Sequence, residues 1–187
     1  MCFLSAWPTV LELASLLAAS PKIVRRGDAL VVNENMARGE AVALASMRAF
    51  AAEAANASTR LGRAHAAGIR LLWREKSPQT FSDSPVGSYQ HLTYGSPYQH
   101  CAVPNQTARS PAVETGLAAL EAAGVAPIRI WDETITQADQ YLASRTPYVA
   151  AKLDCTHFCE PSGALEMWTD ATLRALAAPV QAPVQNR

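Results

Sequence analysis

The segment Asp154-Cys155-Thr156-His157-Phe158-Cys159 sets a carboxylate three residues ahead of an imidazole and flanks the imidazole with two thiols. A histidine held at one ring nitrogen by a carboxylate keeps the other nitrogen free to take the proton of a serine hydroxyl, as in Ser-His-Asp acyl transfer. On this reading Asp154 orients the ring and His157 is the general base, which later returns the proton to a leaving group or an incoming alcohol. An Asp-x-x-His on its own equally describes a loop carboxylate that caps the next turn. Cys101, Cys155, His157 and Cys159 also form a conceivable zinc set. Structural zinc ligands come as two pairs with two to four residues between partners, whereas here one cluster stands with a single distant cysteine. No metal is therefore assigned.

The elements that must position these groups read as an α/β alternation. The spacing predicts a short helix over 10–19, with Leu11, Leu13, Leu16 and Leu17 as its apolar stripe. Ala29-Leu30-Val31-Val32 is a short apolar run ending at Asn33, the pattern of a buried parallel strand. A long helix is expected over 39–66, turning Leu44, Met47, Ala51, Ala54 and Leu61 toward the sheet and stopped by Gly68. Ile69-Arg70-Leu71-Leu72-Trp73 and Pro127-Ile128-Arg129-Ile130-Trp131 are the next strand candidates. A helix over 112–123, ended by Gly124, lies between them in sequence. The last helix, over 163–176, presents Leu165, Trp168 and Leu176. The stretch 75–111 carries no regular pattern and exceeds an ordinary connection; its Phe81, Tyr89, Tyr94 and Tyr98 fit an ordered lid. Alternating strands and helices imply a parallel sheet covered on both faces, with ligands at the carboxyl ends of the strands. Asn33 and Arg74 fall at such ends.

Three blocks, in order, resemble the PC-esterase (trichome-birefringence-like) family of the SGNH/GDSL hydrolase superfamily. The Asp-Cys-x-His-aromatic-Cys block followed by Pro161, Gly163 and Trp168 is the most specific. Trp73-Arg74-Glu75-Lys76-Ser77-Pro78-Gln79-Thr80-Phe81 is similar to a strand end followed by Arg, Ser-Pro-x-His-Phe, with Thr80 where the family has His. Asp28-Ala29-Leu30-Val31-Val32-Asn33 looks like the family's strand leading to Asn-x-Gly-His, with Asn35 and Met36 in place of Gly and His. The resemblance implies a three-layer α/β fold of SGNH-hydrolase type and transfer or hydrolysis of an O-acyl group, acetyl above all, on a glycan. It makes Asp154 and His157 catalytic and Asn33 an oxyanion-hole donor; from the residues alone Asn33 equally just turns the chain at its strand end, and Arg74 holds the Asp loop or a substrate oxygen or is a surface ion pair. It also implies the secretory pathway, Golgi lumen or extracellular, and in that oxidising setting a disulfide from Cys101 to Cys155 or Cys159. No cofactor is implied. The partners are a glycan or polysaccharide acceptor and an acetyl donor.

The family's nucleophile is the serine of a Gly-Asp-Ser block, and that tripeptide does not occur in this sequence. Gly27-Asp28-Ala29 is not its remnant, because here the apolar strand follows the Gly-Asp rather than preceding it. The expectation is therefore a C-terminal portion of such a domain, over 1–178, incomplete at its N-terminus and inactive on its own, with a disordered tail over 179–187. Two other classes stay open, a non-catalytic glycan-binding remnant and a small disulfide- or zinc-stapled structural protein.

Composition bounds the rest. The 187 residues carry 16 basic and 16 acidic side chains, so no electrostatic footprint for nucleic acid is expected. No apolar run reaches the length of a membrane span, and the opening Met1-Cys2-Phe3-Leu4 has no basic leader pattern. Asn56-Ala57-Ser58 and Asn105-Gln106-Thr107 match the N-glycosylation acceptor tripeptide.

Overall fold

The computed structural model describes residues 3–4, 25–33, 40–78, 102–103, 105, 108–137 and 163–178. Four parallel strands form one sheet in the order β1-β2-β3-β4: β1 (Phe3–Leu4), β2 (Ala29–Asn33), β3 (Arg70–Arg74) and β4 (Ala126–Ile128). The helices are α1 (Glu40–Ala55), α2 (Arg60–Ala66), α3 (Pro111–Ala122), the single-turn α4 (Trp131–Thr134) and α5 (Gly163–Ala177). The chain is thus α/β, as its alternation of patterns predicts. The expected helix over 10–19 and the tail over 179–187 lie outside the described residues. Among those described, no helix is long and apolar enough to cross a membrane.

Two compact units divide the chain. One comprises Met1–Lys76, Ser110–Ile128 and Thr172–Arg187; the other comprises Ser77–Arg109 and Arg129–Ala171. The first holds the sheet. Register pairs Leu30 with Leu71 and Val32 with Trp73, so these four side chains share a face. That face is covered by Ala43, Met47, Phe50, Ala51 and Ala54 of α1, Leu61 and Ala64 of α2, and Leu117 and Leu120 of α3. Phe50 meets Trp73 edge-on, with ring centroids 5.3 Å apart and planes at 62°, a geometry that adds about 0.5–1.5 kcal/mol to simple burial. The indole Nε1 of Trp73 is buried here with no hydrogen-bond partner among the described residues.

The opposite face carries Val31 and Leu72, both fully buried, together with Asn33, Arg70 and Arg74. Arg70 crosses the sequence to α5 and donates from its two terminal nitrogens to the Leu176 and Ala175 carbonyls. A guanidinium on the last turn satisfies carbonyls that have no partner within the helix and meets the negative end of its dipole. α5 buries Ala164, Ala171 and Thr172, while the expected stripe of Leu165, Trp168 and Leu176 is only half-buried.

Other expectations need correction. The helix expected over 39–66 is two helices broken at 56–59. The Thr59 hydroxyl donates to the Glu53 and Asn56 carbonyls at 2.8 and 2.9 Å and accepts the Gly62 N–H at 3.0 Å, so it ends one helix and starts the next. Gly68 does stop α2, at φ +96°, a conformation costly to any residue with a Cβ. Within α1 the buried residues include Ala43, Ser46 and Phe50, and Leu44 is half-buried. The strand expected through Trp131 ends at Ile128, and Trp131 opens α4 with Asp132 and Glu133 in its first turn, where acids favour a helix start.

In the second unit Arg109 pairs with Asp132 at 2.6 Å, and the buried Thr134 hydroxyl donates to the Ile130 carbonyl at 2.5 Å.

Arg70→Ala is expected to lower stability by about 1–3 kcal/mol, read as a fall in the urea midpoint at unchanged slope. Gly62→Ala should cost a similar ~1–3 kcal/mol, because its Cβ would stand 2.0 Å from the Asn56 carbonyl oxygen, too close without a backbone shift.

Candidate functional site

Parallel strands place their carboxyl ends together, and the side chains that emerge there are the ones a ligand meets. β2 ends at Asn33 and β3 at Arg74, and register sets these two residues side by side on one face. Arg74 Nε donates to Asn33 Oδ1 at 3.1 Å. Of the sequence-predicted site residues, the structure brings these two together.

The contact fixes more than a distance. A guanidinium has donors and no acceptor, so the asparagine atom facing it must be the carbonyl oxygen. The Asn33 amide nitrogen therefore points the other way and presents its two hydrogens, which no acceptor takes among the described residues. Arg74 itself is largely withdrawn from water, and burial lowers its pKa from the ordinary arginine value. A guanidinium stays charged at neutral pH despite such a shift. The result is a half-buried cation that fixes the amide, with the amide donors turned away from it. Such an arrangement supports negative charge that develops in front of it.

Arg70 and Arg74 stand on the same strand and the same face, roughly 13 Å apart at about 3.3 Å per residue. Their tasks differ: the first caps a helix, the second orients a strand-end amide.

Glu75 is a residue that sequence reasoning missed. It opens the patternless 75–111 stretch, yet it is 1% exposed, and its backbone N–H donates to the Ile128 carbonyl at 3.2 Å. The strand ladder therefore carries on one step past Arg74. The signal was present in its position directly behind the strand-end arginine. Ser77, read as part of the same loop, is fully buried.

Asp154 and His157 lie outside the described residues. So do Cys101, Cys155 and Cys159, and with them the expected disulfide, and Thr80. Among the described residues no group of three or more His, Cys, Asp or Glu side chains could hold a metal ion. Comparison with protein-family models, with curated proteins and with solved structures finds no match.

Removing Arg74 should release the amide and unsatisfy Asn33 Oδ1. Arg74→Ala is expected to cost about 1–3 kcal/mol. Arg74→Lys should recover little, since an ammonium lacks the planar Nε–H that reaches Asn33. Asn33→Asp should keep its stability, because a carboxylate accepts from the same Nε–H. Denaturant midpoints of the three variants check this order.

Proposed function

We propose that the Asn33–Arg74 pair is the oxyanion-stabilising side of an acyl-transfer centre that moves or removes an O-acetyl group on a glycan. One observation carries the reading: Arg74 holds the Asn33 carbonyl oxygen at 3.1 Å, which turns the amide donors away from the guanidinium at the carboxyl end of β2. When an alcohol attacks an acetyl carbonyl, its oxygen becomes an oxyanion. A donor fixed beforehand stabilises that charge without reorganising at the moment of reaction. Arg74 sets the orientation and adds positive charge behind the donor.

Within this proposal Asp154 orients His157, and His157 moves the proton between hydroxyl and leaving group. The expected SGNH-type architecture and the secretory setting belong to the same proposal and rest on the resemblance of the three sequence blocks. The mechanism calls for no cofactor. Its nucleophile is not assigned to a serine of this sequence, because no Gly-Asp-Ser occurs in it.

That absence favours a second reading, a glycan-binding module without turnover. The two differ in what Asn33 recognises. An oxyanion donor prefers a tetrahedral anion to a neutral ester, whereas a sugar-binding amide has no such preference.

The test compares an acetylated oligosaccharide with its methylphosphonate counterpart by calorimetry. The acyl-transfer reading expects Asn33→Asp to weaken the phosphonate by about ten- to a hundredfold, as loss of a charge-assisted hydrogen bond would, and to leave the neutral ester within a few-fold. Equal losses for both ligands support the binding module instead. The purified chain should release no acetate from a chromogenic acetyl ester. Turnover that disappears in His157→Ala would show that a serine of this sequence is the nucleophile.

A further inference from the structure

The four-residue corner between α1 and α2, residues 56–59, does more than join two helices. Asn56, Ala57 and Ser58 are all exposed. Asn56 Oδ1 accepts two hydrogen bonds from Ser58, one from its backbone N–H at 2.9 Å and one from its hydroxyl at 2.7 Å. Both bonds use the carbonyl oxygen of the amide. The nitrogen Nδ2 is left as the outward group, and no acceptor takes its hydrogens among the described residues.

Around this loop the backbone is firmly held. Thr59 bonds back to Glu53 and Asn56, and Arg63 Nη1 donates to the Ser58 carbonyl at 2.5 Å. The bonds within the tripeptide itself span only two residues, so they need no tertiary structure and can form in a nascent chain.

We infer that Asn56 is an acceptor for N-linked glycosylation, with a lipid-diphosphate-linked oligosaccharide as the donor. Asn56-Ala57-Ser58 has the required hydroxyl residue two positions on and no proline between. In the transfer, Nδ2 attacks the anomeric carbon of the sugar. The bond from that carbon to the diphosphate oxygen breaks, and the lipid diphosphate leaves with the electron pair. One amide proton passes to a carboxylate base of the transferring enzyme as the N–C bond forms. Nothing is oxidised or reduced. Two hydrogen bonds on Oδ1 fix which atom is offered, and by drawing electron density toward the oxygen they make the Nδ2 hydrogens easier for a base to remove.

Placement makes the product compatible with the fold. α1 begins after the carboxyl end of β2, and its sixteen residues span roughly 24 Å at about 1.5 Å per residue. α2 then leads into the start of β3. The corner therefore lies at the amino end of the sheet, and Asn33 and Arg74 lie at the carboxyl end. A bulky glycan on Asn56 extends from an exposed turn and leaves the candidate site clear.

Occupancy in the native cell rests on the proposed secretory setting; acceptor competence does not, and the experiment separates the two. The full chain is delivered to the secretory lumen of eukaryotic cells behind an added signal peptide, with a known acceptor tripeptide appended as a reporter of entry. Peptide mapping after enzymatic deglycosylation should find aspartate at position 56 in place of asparagine. Asn56→Gln and Ser58→Ala should each abolish that product, the second while keeping the asparagine. An unmodified Asn56 in chains whose appended reporter carries glycan would overturn the inference, whichever state Asn105 shows.

Discussion

Strand β3 is hydrogen-bonded on both edges and buried on both faces, and the rest of the described architecture is arranged to keep it so. Across Leu71, Leu72 and Trp73 such a strand has no water on either side, so every backbone group there needs a partner. Leu71 and Trp73 find theirs among α1, α2 and α3. Leu72 is fully buried on the other side. The two arginines at its ends would be the costly members, since a charge taken from water must meet acceptors. Arg70 meets the last carbonyls of α5, and Arg74 meets the side chain of Asn33. Each end of the strand thus turns an expensive charge into a positional constraint.

The constraint at the carboxyl end is the one with chemical meaning. An asparagine at the end of a strand has two orientations of its amide that differ little in shape. A donor-only neighbour removes one of them. Arg74 therefore converts an ambiguous polar group into a directed one, and it does so from a position partly shielded from solvent, where an electrostatic preference is worth more than in water.

Much of this was legible in the sequence, and the parts that were not have physical reasons. β2 was readable with its end at Asn33 because a short run of Ala, Leu and Val is bounded by Gly-Asp and by Asn. β3 was displaced by one residue, since Ile69 is apolar and 6% exposed but stands outside the ladder. The break between α1 and α2 was hidden by alanine, whose helix propensity runs through 51–57. Only the chemistry of Asn56, Ser58 and Thr59, side chains that compete with the backbone for hydrogen bonds, marks it. β4 was overextended because Ile130 and Trp131 look like strand residues, and the two acids behind Trp131 were the contrary signal. The partnership of Asn33 with Arg74 was not readable by pattern. It depends on the register between two strands, which joins residues 41 positions apart. Arg70's grip on α5 spans 105 and 106 positions and was equally invisible.

That last span bears on the order in which the molecule is made. Synthesis proceeds from the N-terminus, so β2, β3 and the α1–α3 layer are available well before residues 175 and 176 emerge. Until then Arg70 has no helix end to grasp, and water must reach it. Closing a loop of about 105 residues costs roughly 4 kcal/mol of chain entropy beyond a constant, from its logarithmic dependence on length. The Arg70 fork can therefore close only after β2, β3 and the α1–α3 layer have been made, so β3 gains this helix cap later than its other face gains its cover.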